Sequence, residues 1–231
     1  TNSIASTVAA ADAGHFSVVG FTGATGVQTV AHGMGGAPEM MIFINREQNG
    51  ANRTVYHKEI GATNYILLSS TAAKPGSTNS NYFNDTEPNS TVFTIGSGAT
   101  PDTNGNGQGM IVYCFRSVPG VCKVGSYEGN NAADGTYVNL GFKPAWVMTK
   151  TIDATGAWGI MDSAREPNNP VIKRLFPNAN SSEDEDGEQM DFLSNGFKLR
   201  KTGGFNSAQT YIYLAMAEIG GNGTLPPIYG R

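Results

Sequence analysis

Short apolar runs rich in Val, Ile, Phe, Tyr and Thr, bounded by clusters of Gly, Asn, Pro and Asp, recur from one end of the chain to the other. That pattern predicts strands rather than helices. They are expected near 16–22, 40–45, 53–57, 65–69, 91–96 and 109–116, then near 121–127, 136–139, 145–150, 158–162, 196–201 and 210–217. The fold class that follows is all-β, of the sandwich or barrel kind. No long helix is expected. The nearest candidates are the Ala-rich first dozen residues and a turn at Asp162-Ser-Ala-Arg165, which Pro167 would stop.

The strand pattern runs through twice, the second pass offset from the first by about 106 residues. Phe16-Ser-Val18-Val-Gly-Phe21-Thr-Gly23 falls on Cys122-Lys-Val124-Gly-Ser-Tyr127-Glu-Gly129, and Met34-Gly35-Gly-Ala-Pro38 falls on Leu140-Gly141-Phe-Lys-Pro144. A repeat of this length takes precedence over any single motif. Residues needed for a fold should recur in both copies, whereas residues needed for chemistry are usually needed once. Gly23 with Gly129, Gly35 with Gly141 and Pro38 with Pro144 recur, as glycines at positive φ or in tight turns and prolines ahead of strands would. The polar candidates do not: His32 faces Val138, and His57 faces Asp162.

Only Arg116-Ser-Val-Pro-Gly120 separates the last strand of the first copy from the first strand of the second, too little chain for a crossover. The two strands are therefore expected to pair as a hairpin. This makes the chain one internally duplicated, pseudo-twofold β-sandwich of about twelve mostly antiparallel strands, with tandem separate sandwiches as the alternative. The expected organisation is an N-terminal arm or linker at 1–13, β repeats at 14–118 and 119–219, and a C-terminal tail at 220–231. Long loops at 71–90, 97–108, 163–191 and 201–209 are where binding would be carried.

Charged residues make up 15% of the chain against an average near 25%, and 30 glycines with many Asn, Ser and Thr take their place. A surface that is polar without being charged suits a rigid extracellular or virion-type β protein better than a cytosolic enzyme. The net charge of −4 and scattered basic residues argue against nucleic acid, and Lys198-Leu-Arg200-Lys201 is expected to be one exposed strand edge. No apolar stretch has the length of a membrane span, and the Ala-rich opening lacks the basic flank of a signal peptide. Cys114 and Cys122 flank the short connection, where a disulfide and a pair of half-buried thiols are both geometrically open.

Candidate chemistry is sparse. The run Ser181-Ser-Glu183-Asp-Glu-Asp-Gly-Glu188 offers carboxylates for calcium but lacks EF-hand spacing, so a solvated, self-repelling loop is the expectation. A glycosidase needs two carboxyl groups at a set separation, which sequence does not measure; Asp153 with Asp162, and Glu128 with Asp134, are the pairs to inspect for it. No Gly-x-Ser-x-Gly elbow accompanies His15, His32 or His57, and Gly105-Asn-Gly-Gln-Gly109 lacks the Lys-Ser/Thr of a phosphate loop. No catalytic residue, cofactor site or metal site is assigned. Trp158, Tyr56, Tyr82, Phe83 and Tyr65 are candidates for a sugar-stacking platform. The candidate ligand surface is Tyr56, His57, Trp158, Asp162 and Arg165.

Several strings resemble a duplicated β-domain at the C-terminal ends of tail-fibre and related structural proteins of marine tailed bacteriophages. They are Gly14-His-Phe-Ser-Val-Val-Gly-Phe-Thr-Gly23, Val30-Ala-His-Gly-Met-Gly-Gly-Ala-Pro38, Val55-Tyr-His-Lys58, Gly141-Phe-Lys-Pro-Ala-Trp-Val-Met-Thr-Lys150, Asp162-Ser-Ala-Arg165 and Asp191-Phe-Leu-Ser-Asn-Gly-Phe-Lys-Leu-Arg200. The resemblance runs from about residue 2 to 219, with Arg53 where the family often has Trp. It implies a non-catalytic structural or host-attachment module on the virion. Its partners would be further copies of itself (a trimer at a fibre tip), other virion proteins and a host-surface glycan or receptor. Nucleic acid and membrane insertion are not expected. The alternative is a carbohydrate-binding module or weak polysaccharide depolymerase.

Overall fold

A computed structural model of the chain describes residues 2–97, 100–185 and 190–218. It divides into two compact units, Thr1–Arg116 and Ser117–Arg231. The division falls two residues ahead of the expected 118/119 boundary. The expected C-terminal tail at 220–231 lies outside the described residues.

In the first unit the strands are β1 (Asn2–Ile4), β2 (Ser6–Ala10), β3 (Phe16–Thr22), β4 (Gln28–Ala31), β5 (Met40–Asn45), β6 (Thr54–His57), β7 (Ile66–Leu67), β8 (Val92–Ile95) and β9 (Gly109–Phe115). They form a six-stranded sheet in the order β2-β3-β9-β5-β6-β7 and a three-stranded sheet in the order β1-β4-β8. Pairing is antiparallel except between β1 and β4. Alternation along β9 buries Met110, Val112 and Cys114, the inward half of a period-two pattern. The two sheets meet over these side chains, with Phe43 of β5 edge-on to Phe93 of β8 at 5.5 Å and 89°. One-turn helices α1 (Ser80–Phe83) and α2 (Pro101–Asn104) lie in the long loops, each started by a side-chain cap from Asn79 or Thr100.

The second unit contains β10 (Cys122–Glu128), β11 (Tyr137–Asn139), β12 (Pro144–Thr151), β13 (Gly159–Asp162), β14 (Met190–Leu193), β15 (Gly196–Leu199) and β16 (Thr210–Ala217). Its sheets run β10-β16-β12-β13 and β11-β15-β14. Phe197 of β15 stands edge-on to Tyr213 of β16 at 5.7 Å and 86°, closing that core between the layers. The order β3-β9-β5-β6 in the first unit is the order β10-β16-β12-β13 in the second, and β4-β8 corresponds to β11-β15. Register agrees as well: Met40 pairs with His57, and Trp146, 106 positions on, pairs with Asp162.

The fold is all-β and mostly antiparallel, as the apolar runs predict, but two expectations need correction. The copies do not share a sheet. β9 already has β3 on one side and β5 on the other, so no edge is left for β10, whose ladder is with β16. The connecting residues close a turn of their own instead, Val118 N donating to Cys122 O at 2.9 Å. Each unit thus has its own pair of sheets, which is the tandem arrangement. The second correction concerns the arm expected at 1–13, within which residues 2–4 and 6–10 are strands and not a free arm or a helix. β1 lies parallel to β4, and β2 is antiparallel to β3. Ile4, Thr7 and Val8 are β-branched and favour that extended backbone. Cys114 and Cys122 are both buried thiols without a disulfide, and burial pushes the Cys114 thiol well up.

Candidate functional site

Three of the five residues of the expected ligand surface are buried within their own units. Tyr56 is 3% exposed and Trp158 1% exposed, while His57 is fully buried. Tyr82 and Phe83 are buried too, and the half-buried Tyr65 has its ring stacked on Tyr82 at 3.7 Å, so four of the five platform candidates are core residues and the fifth packs on one of them. Tyr56 packs edge-on against Phe83 at 5.7 Å, and its hydroxyl donates to the Glu87 carboxylate. The other Glu87 oxygen accepts Ala62 N at 2.7 Å. Burial, reinforced by the Glu87 hydrogen bond, raises the Tyr56 hydroxyl far above its ordinary pKa. Only Asp162 and Arg165 reach solvent, and both are partly buried.

His57 and Asp162 share a role that their chemistry conceals. Each ends its strand and uses a side-chain acceptor to hold the turn that follows. His57 Nδ1 accepts Glu59 N at 3.3 Å; Asp162 Oδ1 accepts Ala164 N at 3.1 Å and Arg165 N at 2.8 Å. Matching backbone bonds close both turns, Lys58 N to Glu39 O at 2.8 Å and Ser163 N to Ala145 O at 2.9 Å. The Asp162 cap is of the Asx type, and the His57 ring nitrogen does the same work for its turn.

A second matched set, which sequence reasoning missed, sits just before the last strand of each unit. Asn104 Oδ1 accepts Ala24 N at 2.9 Å, while its amide donates to Gly26 O at 3.1 Å and Gly96 O at 2.8 Å. Asn206 Oδ1 accepts Asn130 N at 3.2 Å, while its amide donates to Ala132 O at 2.8 Å and Lys201 O at 3.0 Å. Ala24 and Asn130 are 106 residues apart, as are Gly26 and Ala132. Both asparagines are fully buried with their amide groups satisfied on both sides. Gly23 and Gly129 are glycine for the same reason. A Cβ on Gly23 would stand 2.2 Å from Gly105 O, and one on Gly129 would stand 1.9 Å from Ser207 O. Neither is at positive φ, contrary to one expectation, whereas Gly35 and Gly141 are. The matching clue in the sequence was an Asn a few residues ahead of a Gln in both copies. Gln108 O and Gln209 O accept Gly23 N and Gly129 N, each at 2.9 Å.

The densest charge lies on the 163–185 loop of the second unit. Arg165 donates to Asp162 at 2.6 Å, Glu183 at 2.8 Å and Ile160 O at 3.1 Å. Lys173 lies 3.5 Å from Glu185 and 3.9 Å from Glu183. Arg174 meets Asp184 at 2.7 Å, with reciprocal backbone bonds between the same residues, and its guanidinium lies over Phe176 at 5.1 Å. The described part of the acidic run is therefore matched charge by charge and does not repel itself. Positions 186–188 lie outside the described residues. Among the described residues no three His, Cys, Asp or Glu side chains are grouped to hold a metal ion.

The remaining candidates are also engaged in the fold. Burial would raise the Asp153 carboxyl, but hydrogen bonds from Thr210 and Thr151 outweigh it and hold the group below the usual range. Glu128 accepts Thr210 Oγ1 at 3.2 Å, and Asp134 pairs with Lys198 at 2.5 Å. Arg200 pairs with Asp191 at 3.3 Å, so Lys198 and Arg200 of the basic cluster are each matched by an acid. His32 is buried, with Nδ1 accepting Met34 N at 3.2 Å and Nε2 3.0 Å from Asn89 O, which fixes the Nε2–H tautomer. Burial lowers its pKa. Lys150, on β12 opposite Ile212, is fully buried and donates to Thr151 O at 2.7 Å; burial pushes its ammonium down to about 8.

A family model described as Domain of unknown function (DUF7483) matches residues 1–219. No curated protein and no solved structure matches the chain.

Proposed function

The chain belongs to this family, whose description assigns no activity, and from that premise we propose that it is a non-catalytic structural or host-attachment module of a virion appendage. The observation that carries the reading is where the buried polar side chains are spent. Asn104, Asn206, His32 and His57 each hold a loop or turn by satisfying backbone groups. Fixing loops on a stiff two-layer scaffold favours presentation of surface over turnover. The sparsely charged, Gly- and Asn-rich composition and the resemblance of the strings quoted above to phage fibre domains support the same reading. Its partners are further copies of the chain, other virion proteins and a host-surface glycan or receptor. The burial of Tyr56, Tyr82, Phe83 and Trp158 weighs against the stacking platform of a sugar-binding rival.

The test uses purified virions of a phage encoding the chain, its host cells and the host's surface polysaccharide. Antibody against the chain should decorate the particles, and soluble chain should compete with their adsorption while polysaccharide size on gel filtration stays unchanged. Virions lacking the chain would overturn the virion assignment. Heat-sensitive shortening of the polysaccharide would overturn the non-catalytic one.

A further inference from the structure

We infer that the free edge of β2 is a self-association surface, on which a second copy of this chain pairs its own β2 antiparallel about Val8. The backbone geometry defines the edge. Ala11 N donates to Phe16 O at 2.9 Å, so residue 11 forms a hydrogen-bonded pair with residue 16. Alternation along the antiparallel ladder then turns the N–H and C=O groups of Ser6, Val8 and Ala10 away from β3. Thr7, Val8, Ala9 and Ala10 are all exposed, Val8 at 36%.

Several other sheet edges among the described residues are blunted. β13 is covered by reciprocal backbone bonds between Ile160 and Leu175, and β14 by Val171 against Met190. β10 carries Lys123 and Glu128, and β7 has only two residues. β2 has five residues with no charge, no proline and no covering strand among the described residues. Exposed edges without such protection are templates for pairing.

Self-complementarity singles out a second copy as the occupant. Centred on Val8, the antiparallel register sets Ser6 against the partner's Ala10 and Val8 against the partner's Val8. All three outward-facing residues then fall in hydrogen-bonding pairs, with small side chains and no like charges opposed. This is a closed two-fold contact. It joins two six-stranded sheets edge to edge.

This inference specifies the self-association included in the proposed function, but it is read on the isolated 231-residue chain. Absence of the chain from virions would leave it standing. Sedimentation equilibrium of wild type should show a monomer–dimer equilibrium with a dissociation constant on the order of 100 µM, as a small interface implies. Val8→Lys opposes two charges at the dyad, and Ala10→Pro removes an outward N–H without touching the β3 ladder. Each should weaken dimerisation at least about tenfold while leaving the thermal unfolding of the monomer unchanged. A monomeric wild type overturns the inference, as does a trimer or dimer that persists in both variants.

Discussion

Replacing Lys150 by Met should stabilise the second unit near neutral pH, and the gain should vanish in alkali. The Lys150 ammonium is fully buried in β12, and its pKa falls from the ordinary 10.5 to about 8. At about 1.36 kcal/mol for each tenfold change in proton affinity, that fall corresponds to a burial cost of about 3 kcal/mol for the charged form. Met fills a similar volume but forfeits the hydrogen bond to Thr151 O, which costs about 1 kcal/mol. A net gain of about 2 kcal/mol at pH 7 follows from these two figures. The sign of the pH dependence comes from linkage. Because the folded-state pKa lies below the unfolded one, the unfolded chain binds more protons between pH 8 and 10.5. Wild-type stability therefore rises across that window and is lowest below it. Urea unfolding of both proteins at intervals from pH 7 to 10.5, following the second unit's transition, measures the difference directly. A difference that stays constant with pH, or a Met variant less stable than wild type at pH 7, would refute the assignment of a costly buried charge.

Gly129→Ala, which drives a Cβ to 1.9 Å from Ser207 O, should destabilise the second unit by about 3 kcal/mol or more, and Gly23→Ala should do the same to the first. Gly20→Ala, with open space around the new Cβ, is the control and should change stability by less than about 0.5 kcal/mol in thermal unfolding. Asn206→Ala empties a fully buried site and leaves the half-buried carbonyls of Ala132 and Lys201 without its amide, which should cost about 2 kcal/mol in urea unfolding, with Asn104→Ala costing at least as much in the first unit, where the Gly96 carbonyl is buried. His32 should make the first unit acid-sensitive. Its folded pKa is below the ordinary 6.5, so its contribution is complete above pH 6.5 and is lost as pH falls through the lowered value. An NMR titration of the His32 ring, paired with thermal midpoints between pH 7 and 5, tests this.

Strands with a continuous apolar face were legible because burial on one or both faces needs such a face. β3, β5 and β16 match their expected ranges residue for residue. β2 was not legible, because Ser-Thr-Val-Ala-Ala is mostly exposed and presents no apolar period. β4 and β14 are four-residue strands containing Gln28 and Asp191, whose polarity masks the signal. The short link near Pro119 suggested a shared hairpin because proximity in sequence says nothing about whether β9 still has an edge to offer. At the candidate site, residue type could not separate an exposed ring from a core ring, and Tyr56 and Trp158 proved to be core. Alignment of the copies did foretell that His57 and Asp162 occupy equivalent places. The common function as turn caps needed coordinates.

The matched and unmatched polar residues differ in energetic character. Asn104 and Asn206 are neutral and satisfied, so burying them twice costs little once their partners are in place. Lys150 stands where the first unit has Ile44, each opposite an isoleucine of its unit's last strand, Ile212 and Ile111. His32 stands where the second has Leu140, since Val30 lies opposite Phe93 as Val138 lies opposite Phe197. At both positions an apolar residue in one unit shows that the scaffold does not require a titratable group there. Burial lowers the pKa of each, but their windows are separate, acid for His32 and alkaline for Lys150. If the units unfold as distinct transitions, acid should lower the first selectively and alkali up to pH 10.5 should raise the second. Two transitions that shift together across both windows would mean that these side chains do not act on their own units alone, and the separation argued here would fail.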